Sequence, residues 1–209
     1  MAYIGKIPAA AAITASDLDP AVITGQPALA VAPADTDEFL ISDAGVLKRL
    51  DASLVGGGGI TQVDLFRLTA DFNSNEDPIS SNLERADDAS SGRIGTGMSV
   101  SSGTFTFPET GIYECTFFVN GTCNDQNYNI IIKVTQDNSS YDEVASTSTA
   151  MSGNRDVNGV ATCIVDVTDV SNDKVRFSCS SMSTDSSTVI RGNTALNHTY
   201  FRFVRLGDT

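Results

Sequence analysis

From residue 59 to the carboxyl end, the chain breaks into short runs in which apolar and polar side chains alternate, each closed by Asn, Asp, Gly or Ser. This period of two constrains the fold more than any other feature, because it puts alternate side chains on opposite faces of an extended strand and leaves no apolar stripe for a helix. The pattern predicts strands over 61–70, 103–107, 111–120, 127–136, 142–149, 159–167, 174–181, 188–191 and 197–206. Turn-forming residues separate them at 108–111, 137–140, 152–154 and 171–173. Eight or more short strands in about 150 residues suit a sandwich or barrel, and a jelly roll above all.

The preceding stretch has a different texture. Gly56-Gly57-Gly58-Gly59 is a flexible joint, since four consecutive glycines are costly to order. It divides a segment 1–55 from a head 60–209. Pro8, Pro20, Pro27 and Pro33 forbid a long helix in the segment and favour extended chain. Within it, residues 37–51 read as a β-hairpin, with two apolar runs flanking Asp43-Ala44-Gly45 and Gly45 suited to the positive φ of a tight turn. An isolated hairpin is marginal in water, so this one is expected to dock on a partner; a floppy leader is the competing expectation.

Several strands are apolar on both faces. In 111–120, Tyr113, Cys115, Phe117 and Val119 share one parity, with Ile112 and Phe118 on the other. In 197–206, Phe201 and Phe203 oppose Tyr200, Val204 and Leu206. A sandwich strand needs one buried face, so the second implies another layer, namely another copy of the chain around a symmetry axis. Phe118, Tyr200, Phe203, Val204 and Leu206 are the expected contact residues.

The charge balance, 13 Lys+Arg against 26 Asp+Glu for a net charge of −13, argues against a nucleic-acid partner, which needs clustered cations. No apolar run approaches the roughly 20 residues of a membrane span. The short Ala-rich stretch after Lys6 is a poor signal peptide. Cys115, Cys163 and Cys179 share the parity of their apolar neighbours, and no Cys-x-x-Cys pair occurs, so the four cysteines (Cys123 included) read as packed thiols rather than zinc ligands or a disulfide framework. His198 is the only histidine, and no nucleophile elbow, Walker loop or His-Glu-x-x-His is present; an enzyme is not expected, nor a cofactor or metal. Asp87, Asp88 and Asp185 lie in loops rich in oxygen ligands, where solvated acids are favoured over a calcium site. Polar loop tips at 73–78, 124–127, 138–142, 151–158 and 183–187 suit a surface glycan or a plain hydrated exterior.

The stretch Gly103-Thr-Phe-Thr-Phe-Pro-Glu-Thr-Gly-Ile-Tyr-Glu-Cys-Thr-Phe117 resembles the signature strand–turn–strand of the complement/TNF jelly-roll superfamily. The aromatic close, Thr199-Tyr-Phe-Arg-Phe-Val-Arg-Leu206, is similar to that superfamily's last strand. Met1-Ala-Tyr-Ile-Gly-Lys6, the run from Asp35 through Arg49, Ile94-Gly-Thr-Gly-Met98 and Arg205-Leu-Gly-Asp-Thr209 resemble virion appendage proteins of tailed bacteriophages. These resemblances imply an all-β, TNF-like jelly-roll head on an extended segment with a hairpin. They imply a homotrimer assembled in the bacterial cytoplasm and carried on the outside of the virion as a short fibre or a capsid-decoration, cement-type knob. Segment 1–55 would attach it to another virion protein through Tyr3, Ile4, Phe39, Leu40, Ile41, Leu47 and Leu50. Fifty-five Pro-punctuated residues make no long shaft, which favours a short appendage. The alternative is a tail-tip protein that binds a host surface glycan.

Overall fold

The computed structural model describes residues 33–34, 36–44, 46–55, 59–123, 126–151, 153, 155–183 and 187–209. Tyr3, Ile4 and the joint at 56–58 lie outside the described residues, as do Asp185 and parts of the 124–127, 151–158 and 183–187 tips. The chain divides into two compact units, Met1–Gly57 and Gly58–Thr209.

In the first unit, β1 (Glu38–Asp43) and β2 (Val46–Asp51) form an antiparallel hairpin with Phe39 opposite Leu50 and Asp43 opposite Val46. Between the strands, Ala44 takes a positive φ of 49°. A two-residue hairpin turn needs this backbone to match strand twist, so a non-glycine residue carries it here. Arg49 pairs with Glu38 at 2.7 Å, and Lys48 pairs with Asp43. The 3₁₀ turn Ala52–Leu54 follows, and the Ala52 amide donates to the Asp37 carbonyl at 2.7 Å. Most of the hairpin's apolar side chains are open to solvent: Leu40 is 70 % exposed and Val46 59 %.

The second unit is an all-β sandwich. One sheet has the order β10 (Arg155–Val167), β7 (Gly111–Cys123), β13 (Tyr200–Gly207), β3 (Val63–Leu68), β4 (Leu83–Arg85), with β12 (Val189–Ile190) on the far end of β7. The other runs β5 (Ser99–Ser101), β6 (Thr104–Thr106), β11 (Lys174–Ser180), β8 (Gln126–Thr135), β9 (Asp142–Met151). All pairings are antiparallel. Between the sheets sits an aromatic cluster. Phe105 meets Phe66 edge-on at 5.2 Å, Phe117 stacks on Phe201 at 5.0 Å, and Phe177 contacts Phe201 and Phe203 at 4.8 and 5.8 Å. Truncating any of these rings to Ala costs about 3–5 kcal/mol.

The glycine–aromatic signature has a physical role at each position. Ser102 and Gly103, both at positive φ, make the two-residue turn between β5 and β6, and a Cβ on Gly103 would collide with the Ile79 carbonyl. Phe105, Phe107, Tyr113 and Phe117 all enter the core. The Tyr113 hydroxyl donates to the Glu109 carbonyl at 3.1 Å across the turn, and burial pushes its pKa up to about 12.

Candidate interaction surface

The strand registers convert sequence parity into two outer faces of opposite character. On the outside of the β10-β7-β13-β3 sheet, Val160, Phe118, Tyr200 and Arg67 stand opposite one another in one row. Phe118 and Tyr200 stack with centroids 5.0 Å apart and planes at 14°. Four residues along, Ile164, Glu114, Val204 and Val63 form a parallel row, and Val63 bridges Ile94 beyond it. Between them, Thr162, Thr116, Arg202 and Leu65 make a mixed row, with Arg202 Nη2 donating to Glu114 Oε1 at 2.6 Å. Ile164 is 60 % exposed, Leu206 53 % and Val160 49 %, while Phe118, Tyr200 and Val204 are half-buried. Leu206 sits where the register of β13 against β7 shifts, in a bulge.

Phe203 does not belong to this face. It is 1 % exposed, inside the sandwich, with its ring against Phe105 and Phe177. The alternation correctly groups Phe203 with Phe201 and apart from Tyr200 and Val204, and a side chain of that parity points into the core. The expected contact set therefore reduces to Phe118, Tyr200, Val204 and Leu206, joined by Val160 and Ile164 of β10. In the first unit, Phe39, Leu40, Ile41 and Leu50 lie on the hairpin with Phe39 and Leu40 exposed, and Leu47 pairs with Ser42.

The outward row ends in a charged clamp that the alternation pattern does not reveal. Arg67 is 1 % exposed, and its guanidinium donates to Glu84 at 3.1 Å, to Asp88 at 2.6 Å and to Asp87. Burial alone would lower the Arg67 pKa, but the hydrogen bonds it donates to Glu84 and Asp88 outweigh this and the net shift is upward. Asp87 and Asp88, expected to be solvated loop acids, keep part of their surface in water, with side chains 69 % and 34 % exposed, and both also hold this cation. Nearby, Arg85 grips the buried carboxylate of Asp64 with Nε at 3.0 Å. Asp64 also accepts from the Met98 amide at 2.7 Å, and Gln62 from the Gly97 amide at 3.0 Å. These contacts pin the Ile94–Met98 stretch to the sheet, with Gly97 at φ 75° where a Cβ would meet Asp64 Oδ2.

The outside of the β5-β6-β11-β8-β9 sheet is polar. Its rows read Ser101, Thr104, Arg176, Lys133, Glu143, then Ser180, Asn129, Ser148. Asp77 accepts from Lys133 Nζ at 2.6 Å and from Ser178 Oγ at 2.7 Å, which lowers its pKa, the Lys133 bond being the larger cause. Asp77 belongs to the 73–78 tip, which is structural rather than free: Glu76 bridges Cys179, and Asn75 accepts from the Met182 amide at 2.8 Å. At the edge of the 138–142 tip, Asp137 accepts from the Ser139 and Ser140 amides at 2.8 Å each, and its pKa falls accordingly. Among the described residues, no three His, Cys, Asp or Glu side chains are arranged to hold a metal ion, and no helix is long and apolar enough to cross a membrane. A polar hollow of about 490 Å³ lies at Thr122, Arg155, Asp156 and Arg191.

No protein-family model matches the chain, and no curated protein matches it in sequence. Solved structures do match in fold. The chain is similar to the Eiger TNF of S. frugiperda, at a TM-score of 0.56 and 9 % identity over 70 % of this chain and 93 % of that one. It is also similar to murine APRIL, at a TM-score of 0.52 and 10 % identity over 69 % of this chain and 98 % of that one. At such identities the likeness shows the fold alone, and that fold is the TNF-like jelly roll.

Proposed function

We propose that this chain is a structural virion protein of a tailed bacteriophage, a homotrimeric short fibre or capsid-decoration knob displayed on the particle exterior and anchored through residues 1–55. The observation that carries the association is the row Val160–Phe118–Tyr200 on the outside of one sheet: stacked aromatics and exposed branched chains on a face that a single sandwich does not need to make apolar. A cyclic trimer uses one such face from each copy and closes without leaving a free patch. The hairpin supports the anchoring: Phe39 and Leu40 are exposed on a two-stranded element too small for a core of its own. The phage assignment rests on the resemblance of the amino-terminal, 94–98 and carboxyl-terminal stretches to virion appendage proteins.

Light scattering of the full chain tests the association, with three times the chain mass expected and a monomer overturning it. Immunogold electron microscopy of the phage particles tests the location, with label on capsid or tail expected and unlabelled particles overturning it. The polar hollow at Thr122, Arg155, Asp156 and Arg191 favours a second reading, a tail-tip protein that binds host surface glycan. Saturable binding of the full chain to a glycan panel supports that reading, and no binding across the panel removes it.

A further inference from the structure

Two of the four thiols face each other across a strand pair. Cys115 of β7 and Cys163 of β10 are directly opposite in register, and both follow the inward parity of their strands, between Tyr113 and Phe117 on one side and Ala161 and Val165 on the other. Cys115 is fully buried and Cys163 half-buried, and the two side chains are hydrogen-bonded. Directly opposed residues in an antiparallel pair have Cβ atoms about 4.5–5.5 Å apart. A disulfide asks for about 3.5–4.5 Å, so closure needs only a small approach of two strands that already touch. The other thiols lack this arrangement: Cys123 stands opposite Arg155, and Cys179 opposite Ile130.

We propose that Cys115 and Cys163 are a redox-responsive pair that closes to a cross-strand disulfide when the folded protein meets a small-molecule disulfide. The half-buried Cys163 attacks first. Its thiolate is favoured because Cys115 donates to it, which lowers the Cys163 pKa, while that same bond and then burial raise the Cys115 pKa. Cys163 Sγ bonds to one sulfur of the oxidant, the oxidant's S–S bond breaks, and one small thiolate leaves and takes up a proton. Cys115 then gives its proton to solvent and attacks Cys163 Sγ, expelling the second small thiolate, which is protonated in turn. Two protein thiols are oxidised and one small disulfide is reduced to two thiols. The product bolts β7 to β10 and encloses β8 and β9 in a covalent loop.

The test is incubation of the full chain with oxidised glutathione under native conditions, then denaturation, alkylation, digestion and mass spectrometry. A Cys115–Cys163 linked peptide is expected, two hydrogens lighter than the separate peptides, with Cys123 and Cys179 alkylated. Cys115→Ala is expected to trap Cys163 as a mixed disulfide with glutathione, because the resolving thiol is gone. The oxidised protein is expected to melt several °C higher, and dithiothreitol is expected to reverse the shift. Recovery of all four cysteines alkylated, a stable mixed disulfide on the wild-type chain, or a link between any other two cysteines would overturn the proposal.

Discussion

The two outer faces of the sandwich are built on the same pleat, yet one is dressed in Val, Ile, Phe and Tyr and the other in Ser, Thr, Asn and Lys. Both inner faces are equally apolar, so the contrast owes nothing to the core. On the β5-β6-β11-β8-β9 sheet, the one apolar residue of the Ser178, Ile131, Ser146 row is Ile131, and it is 6 % exposed. On the other sheet, Val160 and Ile164 remain 49 % and 60 % open. Scattered surface hydrophobes are ordinary, but aligned rows confined to one of two faces are the arrangement expected where a second molecule supplies the missing layer.

The sharpest way to break that contrast is to charge each face in turn. Phe118→Glu with Ile164→Glu is expected to reduce the proposed trimer to monomer in light scattering, a threefold fall in mass. Ser146→Glu with Ser148→Glu, on the polar sheet, is expected to leave the mass unchanged; dissociation by both pairs equally would erase the distinction between the faces. A smaller effect is expected from the clamp that ends the apolar row. Arg67→Met removes the buried partner of Glu84, Asp87 and Asp88, and because those carboxylates reach solvent they rehydrate in part, so the loss is about 2 kcal/mol in urea denaturation. The smallest belongs to the polar face. Asp77 has a depressed pKa in the fold, so its bonds to Lys133 and Ser178 stabilise above the unfolded carboxylate value of about 3.9 and fade as pH falls through the folded value. Asp77→Asn is expected to cost only a few tenths of a kcal/mol at neutral pH, the group being largely exposed, and less as the pH falls below about 3.9, as read from melting temperatures across that range.

Alternation reads the head's long strands well because each has one face in a core, and a one-residue slip would turn that face to water. It misses β4 and β5, three residues each, whose existence depends on the neighbours they pair with rather than on a pattern of their own. It also cuts β7 and β10 short, since both run on to the mutual pair Cys123–Arg155 through polar residues. Phe203 shows a different limit. Its partition from Tyr200 is legible, but with apolar residues on both parities nothing local says which set is inside. Arg67 is hidden for the same reason in reverse: a cation in an apolar strand has no visible partner when its three acids lie 17 to 21 residues ahead, and only the fold brings them around it.

That cluster of acids also sets a boundary. In the row Val160, Phe118, Tyr200, Arg67, the greasy part stops where Glu84 caps the last strand and Asp87 and Asp88 turn their remaining oxygens to water. A neighbouring copy sliding past Tyr200 would have to dehydrate a fence of carboxylates, whereas one that halts at the ring pair keeps them wet. In the proposed trimer the ion cluster would therefore act as a positional stop, limiting how far subunits overlap as well as holding its own strand in place.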